Sequence, residues 1–506
     1  MTSEFMKKIS FLGRTSLLIG FFFGFDKVLA FVRTGIITRQ YRDSITLLDT
    51  FNAANNLPDV LFALISGGAL AMAFIPLMSE YLTQRGRSAA WDLFSRVANL
   101  AFTATALIAV VIAIFAQPIV DSQIGIAPGF GPEQRHLMAE LMRLNLIATI
   151  IFSISGLVMA SLQANQHFLL PAIAPILYNV GQIIGALYLS PLYGIYGLVY
   201  GVILGAILHL LIQVPALIKY RFHWTPSLDL RDTGLISALK LMGPRLLTMG
   251  GIQLIVLVRD NLASRTGQVG AVTSLTYGWM IMQVPETLIG TAIAIAILPT
   301  LSELAAEQNW AGFRLTLEKA LRILISLTLP IAAVMAAGLH PLVRAVFGFD
   351  EANSALLTLT ARVYLLTLAG YAVQETMARA FYARQEPWVP FFGVLIRLVI
   401  YLGIGISAVI FFPGIGAPAI AFAEIAATVE AVFLFIRLNR RLPERAIVHV
   451  SLFKGLVASL IGAVAAYSLA LMLPGGAIVT ALIGISAGGL IVLPIIWKET
   501  RLLFNL

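Results

Sequence analysis

The sequence predicts an all-α integral membrane protein: about fourteen transmembrane helices, arranged as two parallel-repeat six-helix lobes with two further C-terminal helices. Composition, the spacing of apolar runs and an internal repeat carry this reading. Of 506 residues, 59% are hydrophobic and 12% charged, and the mean hydropathy is +0.90. A soluble protein needs far more polar surface than that composition supplies.

Each crossing needs roughly 20 apolar residues. Such runs fall near 10–38, 47–82, 91–117, 136–164, 170–189, 193–218, 234–264, 270–303, 313–338, 353–383, 388–411, 416–439, 451–473 and 476–502. The intervening stretches are too short for a soluble domain of roughly 100 residues. The second, seventh, eighth and tenth runs exceed a simple crossing, which predicts tilt or extension beyond the bilayer. The start, MTSEFMKKISFLGRTSLLIGFFFGF, is basic and then apolar like a signal peptide. No small-residue cleavage site follows and DKVLAFVR continues the run, so it reads as an uncleaved first helix.

The net charge of +9 comes from short basic clusters between apolar runs rather than one patch. Orientation accounts for them, and nucleic acid is not expected as a partner. With the N-terminus in the cytoplasm, Lys7, Lys8, Arg85, Arg87, Lys219, Arg221, Arg440, Arg441 and Lys498 lie inside with many others. Only Arg39, Arg42, Arg135, Arg265 and Arg344 lie outside. That obeys the positive-inside rule for fourteen crossings with both termini cytoplasmic. The absence of cysteine excludes disulfides and thiolate metal sites.

The repeat sets the lobes. AMAFIPLMSE, ending at Glu80, recurs as AIAILPTLSE, ending at Glu303, 223 positions on; Pro118 and Pro341 keep the same offset. NNLPDVL and MQVPETL pair Asp59 with Glu286 at an offset of 227, so the first copy holds about one extra helical turn. The copies are six crossings apart and therefore parallel, which places transporter-type sites at the interface between lobes. The expected boundaries are 1–225 for helices 1–6, 226–445 for helices 7–12, and 446–506 for the appended pair.

Charge at membrane depth costs roughly 2.5–3.5 kcal/mol on insertion scales, so such residues face partners or water. Asp26, Lys27 and Arg33 fall in the first run; Asp26 and Arg33, seven apart, share a face and also read as a structural ion pair. Asp49, Asn52, Asn56 and Asp59 form a stripe on one side of the second run. Arg259 stands in the seventh with Asp260, and Gln283 and Glu286 in the eighth. The bland alternatives are helix-to-helix glue for the stripe and snorkelling for Arg259. Pro58 and Pro285, with Gly67 and Gly68, mark candidate hinges.

No phosphate-binding loop and no metal-ligand spacing of histidines occurs, so neither an enzyme nor a bound cofactor is expected. Any driving force must come from a coupling ion (Na+ or H+), the membrane potential or the substrate gradient.

The runs FDKVLAFVRTGIITRQY, LLDTFNAANNLPDVLFALISGGALAMAFIPLMSEY and SLTYGWMIMQVPETLIGTAIAIAILPTLSE resemble the MurJ (MviN) family of the multidrug/oligosaccharidyl-lipid/polysaccharide exporter superfamily, over nearly the whole chain. The resemblance implies a flippase that moves lipid II, the undecaprenyl-pyrophosphate-linked peptidoglycan precursor, across the bacterial inner membrane. It implies a V-shaped central cavity whose cations attract the pyrophosphate, and a groove at the last two helices for the lipid tail. Cell-wall synthesis enzymes are the protein partners it suggests, beside membrane lipids. By alignment, the family's cationic positions fall on Lys27 and Arg33 and its second-helix aspartate on Asp49. Family arginines fall on Phe62 and Met280, an acidic position on Gly67, and an eighth-helix glutamate on Gln283. The alternatives are an exporter of another polyprenyl-linked glycan or a small cation, and a non-transporting cell-wall scaffold.

Overall fold

The computed structural model describes residues 11–64, 69–227, 233–472 and 476–502, and their regular structure is entirely helical. Gly67 and Gly68 lie outside the described residues. In chain order the helices are α1 (Phe11–Gln40), α2 (Ile45–Phe62), α3 (Ala69–Gln84), α4 (Gly86–Ile114), α5 (Ala116–Asp121), α6 (Pro132–Ala164), α7 (Leu169–Ile184), α8 (Ser190–Tyr193), α9 (Tyr196–Leu211) and α10 (Val214–Lys219). Then come α11 (Thr233–Arg265), α12 (Ala271–Pro285), α13 (Ala292–Ala306), α14 (Trp310–Phe347), α15 (Glu351–Ala383), α16 (Trp388–Phe411), α17 (Ala417–Phe422), α18 (Ile425–Asn439), α19 (His449–Met472) and α20 (Ala477–Thr500). Short π-helical turns at Gly185–Leu189 and Glu286–Thr291 join α7 to α8 and α12 to α13.

Among the described residues, eleven continuous helical spans are long and apolar enough to cross a membrane. The helices α1, α2 with α3, and α11 occupy the first, second and seventh predicted runs. The ninth run differs most: α14 continues past the predicted end at 338 to Phe347, with Pro330 and Pro341 inside it. A proline removes one backbone donor, yet a helix in apolar surroundings keeps every other intrahelical bond by continuing.

Local chemistry sets the ends. Asn309 and Asp350 cap α14 and α15 by accepting from the backbone N–H of Gly312 at 2.9 Å and of Asn353 at 3.0 Å. Gly348 ends α14 at φ 68°, a left-handed conformation suited to glycine. Within the spans, hydroxyls such as Thr50, Thr105 and Thr360 bond back to carbonyls four residues earlier, which satisfies those donors inside the helix.

The chain divides into two compact units, Met1–Gln253 and Leu254–Leu506, and the division falls inside α11. In the first unit α6 is the axle: it packs against α2, α3, α4 and α9, and 67% of its apolar window is buried. Its core joins Leu157 and Val158 to Phe74, Met78, Trp91 and Phe94. At the α7–α9 crossing Gly181 and Gly185 meet Gly205 and Gly201, where an added Cβ would strike opposing backbone. Small residues permit that approach.

In the second unit α15 plays the same part, packing against α12, α13, α14 and α18 around Leu317, Leu321, Met377, Phe381 and Leu434. The last two helices, α19 and α20, pack on each other and on α14. Fully buried Glu499 ties them down, accepting from Lys454 Nζ at 3.1 Å and Arg322 Nη2 at 3.4 Å.

Candidate functional site

In the first unit, α1 supplies Asp26, Lys27 and Arg33, all half-buried. Arg33 Nη1 donates to Asn179 Oδ1 at 2.8 Å, and Asn179 Nδ2 donates to Asp26 Oδ1 at 2.8 Å. Asp26 and Arg33 thus meet through an amide on α7. Asp59, exposed on α2, lies in electrostatic range of Arg33 and of Tyr178. The structure therefore brings Asp26, Arg33 and Asp59 from two helices to one place, with Tyr178 and Asn179 beside them. Arg33 Nε, itself buried, makes no hydrogen bond within the described residues, so the guanidinium holds an unmet donor.

The stripe on α2 is not uniformly open. Asp49 and Asn56 are buried, Asn52 is half-buried, and only Asp59 is exposed. The neighbouring Asn55 accepts from Asn145 Nδ2 on α6 at 2.6 Å, and Gln134 reaches Thr50 at 3.3 Å. Much of this polarity seats α2 on α6. Pro58 lies within α2, which continues through it to Phe62. Phe62, where the resemblance puts an arginine, instead stacks edge-on to Phe152 at 4.9 Å, and Phe152 does the same to Tyr178 at 5.1 Å.

In the second unit the repeat partners do not share exposure. Gln283 is exposed where Asn56 is buried, and Glu286 is buried where Asp59 is exposed. For Glu286 the cause is local: α12 ends at Pro285 and Glu286 opens the π-helical turn, whose wider winding rotates the side chains from there on. Glu286 accepts from Thr291 Oγ1 at 3.0 Å, and that oxygen lies 2.7 Å from Glu375, which pairs with Arg379 at 2.5 Å. Arg259 is 8% exposed and its Nε donates to Asp260 at 2.7 Å. Such a pair is a buried structural unit, and its charge is already matched.

Sequence reasoning missed Tyr178 and Asn179. Their signal was an amide beside a phenol midway along an otherwise apolar run. No group of three or more metal-ligating side chains occurs among the described residues.

Many long apolar helices in two units built on equivalent axle helices, with ionisable clusters at membrane depth, define a multi-pass membrane protein of transporter architecture. The family model "Lipid II flippase MurJ" matches residues 44–486, and the chain belongs to that family. A relative from Burkholderia cenocepacia, described as lipid II flippase MurJ, is 28% identical over 440 residues, covering 85% of this chain and 84% of its own. The fold is similar to "Lipid II flippase MurJ, inward closed conformation", with TM-score 0.78, 21% identity, and coverage of 96% of this chain and 99% of that one. It is also similar to an inward-facing multidrug resistance MATE family transporter of the MOP superfamily, with TM-score 0.68, 16% identity, and 82% and 95% covered.

Proposed function

We propose that this chain flips lipid II from the inner to the outer leaflet of the bacterial inner membrane by alternating access, with both termini cytoplasmic. One observation carries the site assignment: Arg33 is held by Asn179 within a membrane helix yet retains an unused donor. A diphosphate headgroup gives a reason to keep a guanidinium there, since charge-assisted bonds to phosphate offset its desolvation. Lys27, six residues earlier on α1, adds a point charge without the planar fork. Asp26 and Asp59 balance the cluster when no anion is present. The positive-inside pattern supports the orientation.

The phenylalanine at 62 and the methionine at 280 favour a second reading, an exporter of another polyprenyl-linked glycan whose headgroup needs fewer cations.

The test is lipid II flipping in cells depleted of their own flippase, read by labelling externally exposed lipid II. The wild-type chain is expected to restore labelling, and well-expressed Arg33→Ala to lose it. Failure of inserted wild-type protein to restore labelling refutes lipid II as substrate.

A further inference from the structure

The second unit holds a buried polar network apart from the cluster around Arg33. Arg397 on α16 is 2% exposed and its Nη2 donates to Glu424 Oε2 at 2.7 Å and to Tyr371 Oη at 3.3 Å. Arg259 and Asp260 form the second close pair, with Tyr364 and Tyr401 in electrostatic range of both Asp260 and Glu424. The third carboxylate is Glu430 on α18, 0% exposed.

Its Oε1 accepts from Gln374 Nε2 at 2.9 Å. Its Oε2 stands 3.9 Å from Arg397 Nη1, beyond hydrogen-bond reach, and no donor among the described residues reaches that oxygen. Facing Glu430 are Gln374 from α15, Arg397 from α16, and Glu424 from the turn before α18. Gly393 on α16 presents only backbone there; a Cβ at that position would lie 3.1 Å from both Cγ and Oε1 of Glu430.

Two arginines therefore face three carboxylates, all buried. Each arginine has a carboxylate at 2.7 Å, and Glu430 is the surplus charge. A buried carboxylate left with the far side of a guanidinium already bonded to Glu424 neutralises rather than remaining ionised, because an orphaned hydroxyl is far less costly than an orphaned charge. A metal cation in its place would meet the guanidinium of Arg397, whereas a proton forms a covalent O–H bond on Oε2.

We propose that Glu430 is a proton-binding site, a carboxylic acid in this packing, that releases its proton to bulk water when solvent reaches Oε2. A transmembrane proton gradient then acts on the second unit at this residue; that last clause rests on the transport reading, while the site itself does not.

The experiment is infrared difference spectroscopy on the full chain in lipid nanodiscs, reading the carbonyl stretch of protonated carboxyl groups at pH 7. Wild type is expected to show a buried component that Glu430→Gln lacks and that Gly393→Ala shifts in frequency. Absence of any such component in wild type overturns the site, as does its undiminished presence in folded Glu430→Gln. In proteoliposomes, an imposed pH gradient is expected to change lipid II flipping by wild type and to leave Glu430→Gln unresponsive. Flipping by wild type that ignores the gradient overturns the coupling while leaving the flippase reading intact.

Discussion

Arg33 and Asn179 stand 146 positions apart in the chain and share a 2.8 Å hydrogen bond. The amide orients the guanidinium on one side and Asp26 on the other, so α7 fixes how α1 presents its charge. Asn179→Ala removes both bonds. A bond to a charged group contributes about 1.5–3 kcal/mol, so flipping is expected to fall roughly tenfold or more at unchanged protein level. Asn179→Asp places a carboxylate against Arg33, neutralises it, and is expected to be at least as damaging. Externally labelled lipid II, normalised to membrane-inserted protein, checks both.

The α7–α9 crossing is predicted to be intolerant of bulk. Gly185→Val pushes a branched side chain toward the backbone of Gly201, and overpacking of this kind costs about 1–3 kcal/mol. The thermal unfolding midpoint in detergent is expected to drop. Gly489→Val, on α20 with nothing within 4 Å of its added Cβ, is expected to leave it close to wild type.

Glu499 is the anchor of the C-terminal pair. Glu499→Ala leaves Lys454 and Arg322 facing each other without their common acceptor. Their side chains are 32% and 34% exposed, so water offsets part of the loss and about 1–3 kcal/mol is expected rather than the full penalty of a broken buried pair. Glu499→Gln keeps an acceptor and is expected to lose less. Fluorescence-detected unfolding of the two variants side by side gives the comparison.

His167, in the turn between α6 and α7, has its ring held below the ordinary value of 6.5, first by burial and then by Lys219. The folded protein resists protonating it while the unfolded chain does not. Its contribution to stability is thus complete above about pH 6.5 and is lost as the pH falls from there toward the lowered folded value. Unfolding midpoints measured across pH 5–8 are expected to decline on the acid side, and less steeply in His167→Gln.

Much of this fold was legible because the bilayer imposes a single length and one pattern on every crossing. The repeat linking Glu80 to Glu303 puts the same ten-residue pattern on α3 and α13, whereas the two compact units divide within α11 rather than at 225. What the pattern did not carry was azimuth. Asp59 and Glu286 align by their prolines yet differ in exposure, because a π-helical turn after Pro285 changes the winding, and one residue of winding is invisible to hydropathy. The site was partly legible for the same reason. Arg33 and Asp59 stand out as charges in apolar runs, but Asn179, which joins Arg33 to Asp26, is one amide among neighbours that reveal nothing until α7 packs against α1. Arg259 read as a cavity residue or a snorkelling helix-end cation beside Asp260, and only the packed structure shows the two as a buried pair at 2.7 Å.

The axle helices α6 and α15 have a consequence for how this chain tolerates change. Each packs against several neighbours, whereas the apolar window of α16, α19 or α20 is only 28% buried. A random substitution in α16 disturbs packed side chains less often. The same substitution in α6 is felt at once by α2, α3, α4 and α9. Reporter labels and affinity tags belong on the rim helices, and sequence drift among relatives should run fastest there and slowest along the two spindles.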